Sequence, residues 1–100
     1  MSVMKIGING FGRIGRAVFR IIEERDDIEV VAVNDLFDHA ALRYLLAYDT
    51  VMGSFPYDLR LEDGHLVTPK SRVRMLSERD PSALPWAELG VDAVVESTGA

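Results

Sequence analysis

The sequence predicts an α/β fold: a doubly wound parallel sheet, incomplete within these residues, with a small antiparallel hairpin insertion. Three observations carry this. Lys5 to Asn9 and Glu29 to Asn34 are apolar runs separated by a stretch of helical period. Gly10-Phe11-Gly12-Arg13-Ile14-Gly15 joins the first run to that stretch. From Tyr57 onward the texture changes, with Leu59 and Leu61 alternating with Arg60 and Glu62 ahead of Asp63-Gly64. Strand, glycine turn, helix and strand in so short a span make a βαβ unit, which demands a right-handed crossover and parallel strands. This is the opening of a Rossmann-type sheet.

Each element follows from its own residues. Lys5 to Asn9 reads as a buried strand. Ile14, Ala17, Val18, Ile21 and Ile22 recur at helical spacing and predict one apolar helix face, ended by the charged cluster Glu23 to Asp27. Arg13, Arg16, Arg20 and Arg25 among those acids read as a solvated face. Val30, Val31 and Val33 make a continuous apolar run suited to a sheet covered on both sides. Asp38 caps a second helix with Ala41, Leu42, Leu45 and Leu46 inward, and Asp49 to Pro56 leaves helical patterning. Asp63-Gly64 is a two-residue hairpin turn before His65 to Thr68. Val73 and Met75 alternate with Arg72 and Arg74 in a strand assigned to the main sheet. Pro85 and Gly90 bracket one or two helical turns, with Trp86 packing them down. Val91 to Ser97 is a last strand, and Ser97-Thr98-Gly99 a bend at its carboxyl end. A parallel strand normally feeds a covering helix, so the fold is expected to continue beyond Ala100.

Composition narrows the function classes. At 48% apolar and 27% charged residues the chain is an ordinary globular one, of a size for one domain or part of one. A net charge of −5 with dispersed cations argues against a nucleic-acid partner. No apolar run approaches membrane-spanning length and the first strand begins at once, so no membrane partner and a cytoplasmic location are expected. Cysteine is absent, which removes disulfides, thiolate metal sites and a thiol nucleophile from these residues. His39 and His65 have no second ligand or base at useful spacing and read as surface histidines; no metal site is expected.

The glycine turn carries the chemistry. In a strand-turn-helix context, Gly10 permits the sharp turn, Gly12 lets backbone approach a pyrophosphate, and Gly15 lets helix pack on strand. The backbone N–H groups of Arg13 and Ile14 open the helix and, with its dipole, face the phosphates. Asp35, at the end of the second strand, accepts from ribose hydroxyls and repels a 2′-phosphate, favouring NAD over NADP; the alternative is a plain helix-entry role. Asn9 precedes the turn, where its amide bonds backbone and holds the loop, and it is counted with the cofactor-binding set. The Arg13 side chain either adds charge near the phosphates or pairs with an acid such as Asp49. Ser97, Thr98 and Gly99 either touch the cofactor or form a simple bend. Arg79, in Glu78-Arg79-Asp80-Pro81, either walls the adenine or sits in a solvated turn.

Lys5-Ile6-Gly7-Ile8-Asn9-Gly10-Phe11-Gly12-Arg13-Ile14-Gly15-Arg16 resembles the amino terminus of the glyceraldehyde-3-phosphate dehydrogenase family. Val33-Asn34-Asp35-Leu36, Leu45-Leu46-Ala47-Tyr48-Asp49-Thr50, Glu78-Arg79-Asp80-Pro81, Leu84-Pro85-Trp86 and Glu96-Ser97-Thr98-Gly99 extend the resemblance over essentially the whole chain. It implies that residues 1–100 are the amino-terminal portion of an NAD-binding domain, with the catalytic domain absent. It places the backbone of Arg13 and Ile14 on the pyrophosphate, Asp35 on ribose, Arg79 beside adenine, and Thr98 and Gly99 near the cofactor. In the intact family a cysteine thiolate attacks the aldehyde, hydride passes to NAD, and phosphate releases an acyl phosphate, with a histidine as base. The Ser-Cys-Thr-Thr-Asn nucleophile motif and that histidine lie downstream of these residues, so the chain alone is not expected to catalyse. The resemblance also implies a homotetramer when intact, with the remainder of the subunit as partner. Competing expectations are an erythrose-4-phosphate dehydrogenase segment, a stand-alone or truncated nucleotide-binding module, and a non-functional remnant of a truncated gene.

Overall fold

The computed structural model describes residues 3–49 and 51–98. Its order is β1 (Met4–Asn9), α1 (Arg13–Glu23), β2 (Ile28–Asn34), α2 (His39–Ala47), β3 (Tyr48–Asp49), β4 (Gly53–Ser54), β5 (Arg60–Glu62), β6 (His65–Val67), β7 (Arg72–Leu76), a 3-10 turn (Pro81–Ala83) and β8 (Ala93–Glu96). One sheet runs β5-β6-β7-β2-β1-β8, and β3 and β4 form a separate two-stranded ribbon. The β7, β2, β1 and β8 strands are parallel, while β5, β6 and β7 pair antiparallel. The hairpin expected as an insertion is thus continuous with the main sheet and extends its edge. Its turn has φ of 51° at Asp63 and 73° at Gly64, both positive as a type I′ hairpin turn requires.

The two faces of the sheet are covered differently. Ile6, Ile8, Val30 and Val33 pack with Phe19 and Ile22 of α1 and with Leu42 and Leu46 of α2 in one core. The register slips by one residue between Ile6 and Gly7, pairing Ile6 with Val30 but Gly7 with Ala32. An extra residue reverses side-chain facing beyond it, which is how Val30 and Val33, an odd number apart, share the core. On the opposite face Trp86 lies over Gly7, where an added Cβ would come within 2.7 Å of the indole. The 81–91 segment therefore crosses the second face on its way from β7 to β8. Gly90, at φ 72°, stops its turn: Gly90 N–H donates to the Ala87 carbonyl and Val91 N–H to that of Trp86, a Schellman closure.

The expected inner face of α1 is rotated only in part, since Ile22 is buried and Val18 packs against the core as expected. Gly15, Phe19 and Ile22 are buried, whereas Ile14 and Ile21 are 69% and 58% exposed. The cause is Gly15, which must lie against the Gly10 carbonyl and Ile8, and so turns the adjacent isoleucine stripe outward. Arg20 and Glu23, expected on a solvated face, are buried as well. Arg20 Nη2 donates to the carbonyls of Leu46 and Gly53, at 2.5 and 2.7 Å, which ties α1 to the end of α2 and to the β3-β4 ribbon. Leu45, expected inward on α2, is 38% exposed. His39 is partly buried, with Nε2 between the Leu76 carbonyl and Ser77 Oγ.

Asp38 caps α2 as expected, its Oδ2 accepting from Ala41 N–H at 2.9 Å. Asp38→Ala removes that acceptor from an orphan helix N–H and is expected to cost about 1 kcal/mol. Urea unfolding of the native protein carrying this chain checks it; an unshifted midpoint would show that the cap contributes nothing.

Candidate functional site

The strand order places a switch point between β1 and β8. From β1 the chain leaves through α1 over one face; it reaches β8 over the other, under Trp86. The crossovers diverge there and leave a crevice beyond the carboxyl ends of the strands, the usual ligand position in such sheets. A cleft of about 490 Å³ occupies that place. Its floor is Asn9 and Gly10 after β1 and Asn34 and Asp35 after β2; its walls are Leu36, Glu78, Arg79, Pro81 and Leu84 on one side, and Gly12, Glu96, Ser97 and Thr98 on the other.

The three glycines of the turn face three different surroundings. Gly10 has φ of 95°, and an added Cβ would lie 2.7 Å from backbone atoms of Ser97 and Thr98. Gly15 would place a Cβ 2.3 Å from the Gly10 carbonyl and 2.9 Å from Ser97 Oγ. Gly12 has nothing within 4 Å. Two glycines thus let chain pack on chain, and the third leaves room on the cleft side. Gly12 is also the N-cap of α1, without a side-chain cap bond and with no acid in the first turn. The first N–H groups of a helix have no intrahelical partner, so this end offers donors and a positive dipole to an anion. An open glycine over an uncapped helix start fits the pyrophosphate of a dinucleotide.

The other residues expected at the site fall around that turn. Arg13 and Ile14 are exposed at the start of α1. Arg13 forms no ion pair among the described residues, and the Asp49 pairing is not made. Asp49 instead accepts from the N–H groups of Val51 and Met52. Those bonds, Met52's foremost, with Arg20 and Arg16 as the charges acting on it, hold its carboxyl below the usual range. Asp35 accepts from Phe11 N–H at 2.7 Å through Oδ2 and from Phe37 N–H at 2.8 Å through Oδ1. It braces the glycine turn and, with about four acceptor sites on a carboxylate, keeps capacity for ligand hydroxyls. Asn9 differs from expectation: its side chain bonds Glu96 and Asn34 rather than backbone. Ser97 is a tie, its N–H donating to the Asn9 carbonyl at 2.8 Å and its Oγ to the Gly10 carbonyl at 2.6 Å. Arg79 and Thr98 line the cleft from opposite sides; Gly99 lies outside the described residues.

Glu96, Glu78 and Asn34 also belong to the site; each lies in a motif that carries the resemblance, but none was given a role there. Their hydrogen bonds reach partners 25 to 87 positions away, beyond any local pattern; the signals that could have found them were the motifs they sit in and, for Glu96 and Asn34, an acid or amide at the carboxyl end of a parallel strand.

Comparison with known proteins bears on this geometry. The family described as "Glyceraldehyde 3-phosphate dehydrogenase, NAD binding domain" matches residues 4–100. Glyceraldehyde-3-phosphate dehydrogenase 1 of Streptomyces avermitilis is 55% identical over 97 residues, covering 96% of this chain and 29% of that protein. Glyceraldehyde-3-phosphate dehydrogenase of Salmonella typhimurium and glyceraldehyde-3-phosphate dehydrogenase A of Escherichia coli K12 are each 51% identical over 96 residues, with 96% of this chain and 29% of each relative covered. The chain thus spans less than a third of the length of the relatives it matches. It belongs to the family of the glyceraldehyde-3-phosphate dehydrogenase NAD-binding domain, and its cofactor is NAD.

Proposed function

We propose that this chain is the opening of the cofactor domain of a phosphorylating glyceraldehyde-3-phosphate dehydrogenase, with the catalytic domain elsewhere in the intact protein. The family match over residues 4–100 carries the reading of the domain, and Gly12, open to the cleft at an uncapped helix start, carries that of the cofactor site. There the N–H groups of Arg13 and Ile14 take the pyrophosphate, and Gly10 and Gly15 keep the turn closed beneath it. Asp35 takes the adenosine ribose, Arg79 stands beside adenine, Asn9 holds the strand ends together through Asn34 and Glu96, and Ser97 and Thr98 shape the side toward the nicotinamide. NAD supplies the hydride acceptor for aldehyde oxidation. These residues bind and orient it; with no cysteine present, thiol attack on the aldehyde belongs to residues outside this chain, which alone does not catalyse. On the same reading the intact protein is a cytoplasmic homotetramer serving glycolysis and gluconeogenesis. Among the described residues no helix is long and apolar enough to cross a membrane.

Asp35→Ala tests the cofactor assignment. Removing a charged acceptor that meets two hydroxyls is expected to weaken NAD about tenfold or more, and to narrow the preference over NADP because the 2′-phosphate no longer meets a carboxylate. Titration of both cofactors into the native protein and the variant measures it. Unchanged selectivity would defeat the ribose assignment. For the reaction, NADH formation from glyceraldehyde 3-phosphate should stop when phosphate is withheld.

A further inference from the structure

The strands β2 and β7 stay in register only to Asn34 and Leu76, and Asp35 N–H donates to the Leu76 carbonyl at 3.0 Å. Beyond that point the chain leaving β7 must still be held, since Glu78 and Arg79 wall the cleft. The Asn34 side chain holds it. Its Oδ1 accepts from Glu78 N–H at 2.7 Å and its Nδ2 donates to the Glu78 carbonyl at 3.0 Å. One primary amide therefore takes both backbone groups of one residue, as a neighbouring strand would. The second Nδ2 hydrogen goes to Asn9 Oδ1 at 3.0 Å. Asn9 Nδ2 then donates to the two Glu96 carboxylate oxygens at 3.0 and 3.3 Å. Asn34 and Asn9 are buried, so a broken bond here leaves a polar group without water to replace its partner.

The direction of this chain of bonds is fixed at one end. An ionised carboxylate only accepts, so Asn9 must present Nδ2 to Glu96 and Oδ1 to Asn34. Asn34 must then turn Nδ2 toward Asn9, which leaves Oδ1 for Glu78 N–H. Glu96, Asn9 and Asn34 end three adjacent parallel strands, β8, β1 and β2. Their side chains reach across those strand ends to grip the segment that follows the fourth.

We propose that Asn34 is a positioning residue for the adenosine half of NAD: by clasping the Glu78 backbone it sets where Arg79 stands relative to Asp35, and Glu96, through Asn9, sets the orientation of the clasp. This rests on the reading of the cleft as the cofactor site. Arg79 is exposed and forms no ion pair among the described residues, so its place depends on the backbone beside it.

The test titrates NAD and ADP-ribose, which lacks the nicotinamide, into the native protein carrying this chain and into Asn34→Ala, Asn34→Asp, Arg79→Ala, Asp35→Ala and the Asn34→Ala/Arg79→Ala double variant. Asn34→Ala is expected to weaken both ligands by the same factor, about tenfold, and to add little once Arg79 is gone, since residues acting through one another are not additive. Asn34→Asp keeps the acceptor for Glu78 N–H but turns a carboxylate oxygen toward two other acceptors, and is expected not to rescue. Should Asn34→Ala fail to fold, Glu96→Gln takes its place: either end of the new amide can face Asn9, the fixed direction is lost, and a loss of about threefold that disappears in the Arg79→Ala background is expected. A loss that persists in full without Arg79, or no loss at all, overturns the positioning role. Asp35→Ala separates the two readings. If it weakens binding while the Asn34 and Glu96 variants do not, only the clasp is refuted; if it also changes nothing, the cleft is not the cofactor site.

Discussion

Replacing Gly10 by alanine is expected to destabilise the protein by about 4 kcal/mol, a large part of a typical folding free energy. Two costs combine. The backbone sits at φ 95°, and the new methyl would stand 2.7 Å from the backbone of Ser97 and Thr98, atoms that cannot swing away as a side-chain end does. Relief would require β8 to move off β1 at the switch point, opening the Ser97 bonds to Asn9 and Gly10. Gly64→Ala is the control: its φ is 73° but nothing lies within 4 Å of its added Cβ, so it carries the conformational cost alone, about 1 kcal/mol. Denaturant unfolding of both variants separates the costs. If Gly10→Ala loses no more than Gly64→Ala, the close approach of the two strand ends is not what makes glycine necessary there.

That contrast also shows what was legible in the sequence. The glycine turn could be read because its spacing between a strand and a helix is a recognisable pattern in itself, and the βαβ unit because apolar period and turn chemistry agree. The facing of α1 could not be read so directly. Ile14 and Ile21 lie at one edge of the apolar side and Gly15 and Phe19 at the other, with Val18 and Ile22 between; period reports that a helix has an apolar side, while steric fit of Gly15 on Ile8 decides which edge turns in. The one-residue slip in β2 was hidden for a related reason, because a run of valines looks the same with or without an extra residue. Buried Arg20 is indistinguishable in sequence from a solvent-facing arginine, since its carbonyl partners at Leu46 and Gly53 lie in other elements. At the site, the open backbone at Gly12 could be anticipated from glycine spacing, whereas the amides of Asn9 and Asn34 acquire their partners only once four strand ends are brought side by side.

Gly12→Ala should separate binding from stability in the opposite sense. The residue has φ of −76° and ψ of −160°, extended backbone that alanine adopts freely, and no protein atom lies within 4 Å of the added Cβ. Folding stability is therefore expected to change by no more than about 0.5 kcal/mol. The methyl, however, projects beside the cleft at the helix start whose N–H groups are proposed to take the pyrophosphate. Holding the phosphates a methyl radius away lengthens those hydrogen bonds past useful range and displaces the dinucleotide from Asp35 at the same time. NAD affinity is expected to fall about a hundredfold, equivalent to about 2.7 kcal/mol. Adenosine, which has no phosphate, should bind as weakly to the variant as to the unaltered protein. Calorimetric titration of NAD and adenosine, beside a thermal unfolding curve, reads all three quantities. A loss of NAD affinity below threefold with an unchanged unfolding curve would mean that the phosphates do not pass over Gly12, and the pyrophosphate assignment to the start of α1 would fall with it.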